Sequence, residues 1–187
     1  MKKNSLIFIL LLVGLLFQEC KKDTYSSTAS APFSLIATIN DTSWTTDTVT
    51  AILTYTSASQ SKKFECTGTA FNKRVYFSVL QKGQLNNNSS FPIADYSNSS
   101  PNVSTSYFLN IKNSNGVYAF TQQGNVAPGS GFVNITAIDS VNNLITGNFS
   151  FTSSSITYGT DGQIKSVHND QIQYGGFTNL PFKFVKQ

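Results

Sequence analysis

The sequence has little charge, and its positive charge is not clustered. Charged residues make up 12% of the 187 residues, about half of the usual share. The only arginine is Arg74, and basic residues stand side by side in pairs at most, as in Lys62-Lys63. Proteins that bind nucleic acid usually carry a dense stripe of Lys and Arg. The composition therefore excludes nucleic acid as a partner, and the pI of about 9.0 reflects a shortage of acids.

Residues that hold metals or perform acid–base chemistry are also scarce. His168 is the only histidine, and Glu65 is the only glutamate beyond residue 19. A zinc site needs about four His, Cys or carboxylate ligands, and glycoside hydrolysis needs two carboxyl groups across one cleft. His168 has Asp170 nearby as a triad partner, but the G-x-S-x-G nucleophile elbow is missing. We therefore predict no catalytic residue, no metal site and no cofactor, and hence a protein that is not an enzyme.

Long apolar runs are absent except near the N-terminus, where residues 6–17 form an unbroken run, LIFILLLVGLLF. A membrane-spanning helix needs about 20 apolar residues. A shorter run behind a positive start, here Lys2 and Lys3, is typical of a secretory signal. We therefore predict that residues 1–19 are a signal peptide and that the protein is exported.

The end of this signal resembles that of bacterial lipoproteins, in which an apolar residue stands three positions before a cysteine. Phe17 and Cys20 occupy these positions, while Gln18 and Glu19 replace the small residues that usually precede the cysteine. The resemblance implies cleavage before Cys20 and its diacylation, and two acyl chains hold a protein stably on a membrane. The alternative is ordinary signal-peptidase cleavage after residues 29–31, ASA.

Residues 20–31 are predicted to be the lipid-attachment cysteine and a flexible tether, because they contain no core-forming pattern. The stretch CKKD resembles a signal that sends lipoproteins of some Gram-negative bacteria to the outer cell surface; the alternative is a merely hydrophilic tether. The predicted localisation is therefore the outer membrane, facing the periplasm or the cell surface. The predicted partner is that membrane, contacted through the N-terminal lipid.

Residues 32–187 are predicted to form a single all-β domain. The chain has 15 Phe and 8 Tyr, and aromatic and β-branched residues favour strands. Short alternating runs recur about every 8–12 residues, separated by turn signals such as Asp161-Gly162. We expect about ten strands in an antiparallel β-sandwich or a partly open β-barrel. Parallel pairing needs a crossover of about a dozen residues, which is longer than the loops.

The run LITGNFSF near the C-terminus alternates strictly between two faces of a strand. The predicted inward residues are Ile145, Phe149 and Phe151, and the predicted outward residues are Asn148, Ser150 and Thr152. On the partner strand, Val133, Ile135 and Ala137 are predicted to share one face. Gly147 falls on the inward face, where a missing side chain makes room for an aromatic ring from GGFTNLPF. Phe177 or Phe182 is expected to fill that space.

Three stretches, FSLIATINDTSWTTDTVTA, GFVNITAIDSVNNLITGNFSFT and GGFTNLPF, resemble a family of uncharacterised lipoproteins from Gram-negative bacteria. The family shares an F-x-A-x-I-x-x-x-x-W opening, a G-x-F-S-F strand and a C-terminal G-x-F-x-N-L-P-F motif. The residues at motif positions are Ile39, Trp44, Gly147, Phe149, Ser150, Phe151, Phe177, Asn179, Pro181 and Phe182, and Phe33 and Gly176 lie next to the opening and the C-terminal motif. The resemblance implies the fold class and the localisation, but no reaction.

The function predicted from these observations is that of a lipid-anchored cell-envelope lipoprotein with a non-enzymatic β-domain. Its ligand is unknown, either a glycan or another envelope protein. The alternative function is that of a carbohydrate-binding accessory protein, because sugar sites combine aromatic rings with amides and hydroxyls. Tyr96 and Tyr107 are the candidate glycan contacts, together with the Asn-rich segment 86–102. Trp44 and Cys66 are expected in the core.

Overall fold

The computed structural model describes residues 34–187; the predicted signal peptide, Cys20, the tether and Phe33 lie outside the described residues. Residues 34–187 lie within one compact unit and are almost entirely β-structure. The strands are β1 (Ser34–Ile39), β2 (Thr42–Thr45), β3 (Thr48–Thr56), β4 (Ser61–Ala70), β5 (Lys73–Lys82), β6 (Ala94–Ser97), β7 (Val103–Lys112), β8 (Tyr118–Gln122), β9 (Asn125–Asp139), β10 (Leu144–Tyr158), β11 (Ile164–Pro181) and β12 (Lys183–Lys186). A short 3-10 turn, Ser57–Ser59, follows β3. Within residues 34–187, no helix is long and apolar enough to cross a membrane.

These strands form two sheets of six strands each. Sheet A has the order β2-β1-β11-β10-β9-β6, and sheet B has the order β12-β3-β4-β5-β7-β8. The sheets are not closed into a barrel. The all-β prediction is therefore confirmed, with the sandwich as the observed architecture. There are twelve strands where about ten are predicted, because four-residue strands form at the sheet edges, where short strands are common.

The core lies between the sheets and is rich in phenylalanine. The ring centroid of Phe77 on β5 lies 4.8 Å from that of Phe149 on β10 and 5.3 Å from that of Phe177 on β11. The predicted inward residues of β10 are all buried, and Asn148 on the opposite face is exposed. Gly147 lies against the Phe177 ring. The face assignment for β10 is therefore confirmed.

The last strand corrects the expectation of purely antiparallel pairing. β12 pairs in parallel with β3, with Lys183 opposite Ile52 and Lys186 opposite Tyr55. The crossover rule concerns strands that follow one another in sequence. β12 and β3 are separated by most of the domain, so the rule does not limit their pairing.

A bulge in β9 changes the face of one predicted core residue. Val133 and Ile135 point into the core, but Ala137 of the same alternating run is exposed. Ala137 pairs with Thr146, whereas Ile135 pairs with Gly147, so β9 has one residue more than β10 at this point. Ile138 consequently packs against the core in place of Ala137.

β10 and β11 extend beyond their neighbours as a two-stranded ribbon, residues 155–169, which we call the β10–β11 ribbon. The last pair between β9 and β10 is Asn125–Ser154, and the last pair between β1 and β11 is Ile39–Ile172. The ribbon turns at the predicted Asp161-Gly162 position. Its residues are exposed or only half-buried.

Candidate functional site

The two tyrosines predicted to contact a glycan lie in the core. Tyr96 is 8% exposed and Tyr107 is 1% exposed. The Tyr96 hydroxyl donates to the carbonyl of Pro92 at 2.8 Å, and burial raises the pKa of Tyr96 to about 12. Burial, followed by the nearby carboxylate of Asp170, raises the pKa of Tyr107 to about 12. Neither ring offers an exposed face to a sugar, so the prediction is wrong for both residues.

The Asn-rich segment uses its amides to hold itself to the domain. Lys62 is fully buried on β4, and its Nζ donates to Asn87 Oδ1 at 3.0 Å and to Ser90 Oγ at 2.7 Å. Burial lowers the pKa of Lys62. Asn88 Nδ2 donates to the carbonyl of Ser140 at 2.7 Å. These polar groups bind one another, which argues against the segment as a ligand-binding surface.

His168 and Asp170 do come together, at the base of the ribbon. His168 Nε2 lies 3.4 Å from Asp170 Oδ1, and Asn40 Nδ2 donates to the same oxygen at 2.8 Å. Ser155 pairs with His168 across the two strands. A triad requires a histidine held between carboxylate and nucleophile beside oxyanion donors. The His168 side chain is instead 70% exposed on the two-stranded ribbon.

Metal ligands and reactive thiols are few in the described part of the chain. Within residues 34–187, no three His, Cys, Asp or Glu side chains stand close enough to hold a metal ion. Cys66 is a free cysteine in the core, and burial raises the pKa of its thiol. A buried thiol of raised pKa is inert, so Cys66 acts as a core residue, as predicted. Trp44 also lies in the core.

A groove of about 530 Å³ lies on the outer face of sheet A. It spans the neighbouring strands β9, β10 and β11. The lining residues are Phe132, Asn148, Phe149, Ser150, Gln173, Tyr174 and Gly175. Asn148 and Ser150 point outward because they flank the inward-facing Phe149 on β10. Phe132 stands directly opposite Ser150 on β9.

A β-bulge in β11 presents Tyr174 to this groove. Between the pairs Phe149–Gly175 and Phe151–Ile172, β10 has one residue and β11 has two. Tyr174 has a φ of 50°, in the left-handed region that bulky residues rarely adopt. Such a conformation costs about 1–3 kcal/mol and is concentrated at functional sites. The residue is 82% exposed, so its ring is available to a ligand.

Two neighbouring residues support the bulge. Ser150 Oγ donates to the carbonyl of Ile172 at 3.1 Å, which satisfies a polar group of the bulged strand. A β-carbon at Gly175 would lie 2.6 Å from the Phe149 ring and its carbonyl oxygen. Glycine therefore lets β11 pass close to β10 beside Tyr174. Ser150 of the G-x-F-S-F stretch thus belongs to the site, Phe149 belongs to both the core and the groove lining, and Phe151 belongs to the core alone.

A second bulge of the same kind lies further along β11, at Asn179. Asn179 has a φ of 47°, and its backbone N–H donates to Thr146 Oγ1 at 3.0 Å. A β10 hydroxyl thus supports each of the two bulges. Bulges bend a strand and increase its twist, so both shape the outer face of sheet A around the groove.

The groove combines aromatic rings with uncharged polar groups. Phe132 is 40% exposed on β9, and Tyr174 lines the same groove from β11, with β10 between them. Asn148 and Gln173 supply amides, and Ser150 supplies a hydroxyl. None of the lining residues is acidic or basic. The groove therefore suits an uncharged ligand with both polar and apolar surface.

A second cleft, of about 560 Å³, lies beside the β4–β5 turn. Its lining includes Trp44, Asp47, Phe71 and Lys73. Phe71 resembles Tyr174 in being 87% exposed with a φ of 53°. It stands at a hairpin turn, where positive φ is common, and it has charged neighbours. Phe71 is consequently a useful control for Tyr174 in binding experiments.

Sequence reasoning missed the groove residues. The sequence does indicate that Phe132 is exposed, because this aromatic residue falls on the strand face opposite the core residues Val133 and Ile135. The sequence does not indicate the exposure of Tyr174, since the bulge that turns this residue outward depends on the pairing of β11 with β10 and β1. Comparison with protein-family models, curated proteins and solved structures finds no match for the chain.

Proposed function

We propose that this chain is a lipid-anchored lipoprotein of the outer membrane whose β-domain binds a ligand and performs no chemistry. The observation that carries the binding role is the groove at Tyr174, where a strained aromatic residue stands exposed on β11, a central strand of sheet A. Strain of this kind is retained where function needs it. The resemblance to lipoproteins of Gram-negative bacteria supports the envelope localisation, on the cell surface or facing the periplasm.

Anchoring through Cys20 predicts a specific labelling result. In a Gram-negative host, the protein is expected to incorporate labelled fatty acid and to partition into detergent, because the acylated residue is Cys20. Cys20→Ser is expected to abolish both properties. Cys66→Ala is the control, since Cys66 does not follow an apolar signal run, and it should keep the label. A mature protein that is unlabelled and begins near Pro32 would contradict the anchoring proposal.

The chemistry of the groove favours a glycan as the ligand. Aromatic rings stack on the apolar face of a sugar, and amides and hydroxyls bind its hydroxyl groups. Phe132 and Tyr174 supply the rings, while Asn148, Ser150 and Gln173 supply the polar groups. The absence of charge among these lining residues points to an uncharged glycan. The proposal therefore keeps the carbohydrate-binding function but moves its site from the buried tyrosines to the groove.

Tyr174→Gly is expected to abolish glycan binding without loss of stability. The change removes the ring, and glycine adopts a φ of 50° without strain. The unlipidated mature chain, from residue 20 with Cys20→Ser, is run in affinity gels that contain neutral polysaccharides: soluble cellulose derivatives, starch, xylan and mannan. We expect retardation in at least one gel, lost in Tyr174→Gly and Phe132→Ala.

Phe71→Gly is the matched control, because it also removes an exposed, left-handed aromatic residue, but outside the groove. It is expected to keep the retardation. Equal loss in Phe71→Gly and Tyr174→Gly would show that exposed aromatic residues bind the gel non-specifically. An absence of retardation in all four gels would refute the glycan proposal and leave a protein ligand.

A further inference from the structure

The exposed apolar side chains of the β10–β11 ribbon lie on the same face of sheet A as the groove. Tyr158 and Ile156 follow Asn148 and Ser150 along β10 at even spacing, so all four point outward. Ile156 pairs with Val167, and Tyr158 pairs with Ile164. These four ribbon side chains are each about half exposed or more, and Tyr158 is 60% exposed. Their cross-strand pairing groups them into one patch.

A strip of uncharged polar side chains connects the groove to this patch. It is formed by Thr152 and Ser154 on β10 and by Asn169 and Gln171 on β11, and we call it the polar strip. Ser154 Oγ donates to Asn169 Oδ1 at 2.7 Å, so the strip residues contact one another across the strands. All four side chains are exposed or half-buried. In the direction of β10, this face thus presents first the groove with its aromatic rings, then the polar strip, and then the ribbon patch with Tyr158.

The distance along this face exceeds the size of a single sugar. Ser150 and Tyr158 are eight residues apart, which corresponds to about 26 Å at ~3.3 Å per residue in a strand. A ligand that contacts both ends must therefore be an extended chain of several units.

The strand pairing argues against an added peptide strand beside the groove. Beside the groove, β10 is paired with β9 and β11, and β11 is paired with β10 and β1, so no backbone edge is free there. Strand addition requires such an edge. Recognition in the groove must therefore use side chains, and these side chains are hydroxyls, amides and aromatic rings.

We infer that the groove, the polar strip and the ribbon patch together form one extended site for an uncharged oligosaccharide. Tyr174 and Phe132 hold one end of the oligosaccharide and Tyr158 stacks on the other, with the polar strip between them. This inference rests on the proposed glycan binding in the groove. It adds that the site binds longer oligosaccharides more tightly than shorter ones.

A length series of oligosaccharides tests the extended site. The unlipidated mature chain is titrated calorimetrically with two-unit and six-unit cello-, malto-, xylo- and manno-oligosaccharides. For the series derived from the retarding polysaccharide, we expect the six-unit chain to bind at least about tenfold more tightly than the two-unit chain. Tyr158→Ala should reduce the six-unit affinity to the two-unit level and leave the two-unit affinity unchanged. Tyr174→Gly should weaken both.

The outcomes separate this inference from the proposed function. Equal affinity for the two lengths, or a six-unit affinity unchanged in Tyr158→Ala, would refute the extended site while the groove remains a sugar site. No binding of any of the eight oligosaccharides would refute both. Tyr118→Ala, which removes an exposed tyrosine from β8 in sheet B, is the control and should match the unmodified chain. Tighter binding of oligogalacturonate than of every neutral series would refute the uncharged ligand.

Discussion

Phe149→Ala is expected to lower the free energy of unfolding by about 3–5 kcal/mol, the usual cost of deleting a buried phenylalanine. Phe149 is 1% exposed, and its ring packs between the sheets against Phe77 and Phe177. It also fills the space beside Gly175. Truncation would leave a cavity at the centre of the core. A domain has a total stability of roughly 5–15 kcal/mol, so the loss would be large.

The neighbouring residue provides the control. Asn148 is on the same strand but on the exposed face, so Asn148→Ala should change stability by less than about 0.5 kcal/mol. Urea denaturation of both variants, followed by tryptophan fluorescence from Trp44, measures the difference. A costly Asn148→Ala together with a tolerated Phe149→Ala would mean that β10 faces the other way. Asn148→Ala should instead weaken sugar binding, because Asn148 lines the groove.

Gly147→Ala is expected to destabilise the domain by about 1–3 kcal/mol, the typical cost of overpacking a core. A β-carbon at Gly147 would collide with the carbonyl oxygen of Asn134 and with the Phe177 ring. The carbonyl belongs to the paired strand β9, and the ring is enclosed by the core. Neither can move aside without disturbing its own neighbours. The strain should therefore appear as a lower denaturation midpoint.

Gly176→Ala is the matched control for this change. The nearest atom to a β-carbon at Gly176 is Ile36 Cγ1 at 3.8 Å, an ordinary contact. The change should be neutral or stabilise the domain by a few tenths of a kcal/mol, because alanine restricts the unfolded chain. Thermal and urea unfolding of the two variants compare them directly. If the two glycines prove equally tolerant, the close packing of Phe177 on β10 is wrong.

Features of the fold that depend on the residues of one strand could be predicted, whereas features that depend on the pairing of two strands could not. The alternation in LITGNFSF placed Phe149 inside and Asn148 outside correctly, because a strand's two faces follow from its own residues. The inward prediction for Ala137 was wrong because a bulge in β9 shifts the alternation of its faces. A bulge is a property of two paired strands. The parallel pairing of β12 with β3 likewise depends on strands far apart in sequence.

The candidate site was harder to predict than the fold. Tyr96 and Tyr107 have polar neighbours in sequence, which suggested exposure, yet the pleat of β6 and β7 turns both rings into the core. Tyr174 stands in a run, IQYGGF, that gives no indication of its outward direction. Its position depends on the extra residue that β11 has relative to β10. Sequence composition therefore led to the glycan hypothesis, whereas the residues of the groove follow only from the pairing of the strands.

The pairing of β1 with β11 has a consequence for the time course of folding. Leu35, near the start of the domain, is opposite Phe177, near its end, so sheet A closes only when nearly the whole chain is present. Contacts over such sequence separations carry a high loop-closure entropy and slow the search for the native state. We expect the domain to remain incomplete during synthesis and to fold slowly afterwards. Such a delay would suit the proposed export, in which the chain crosses a membrane unfolded.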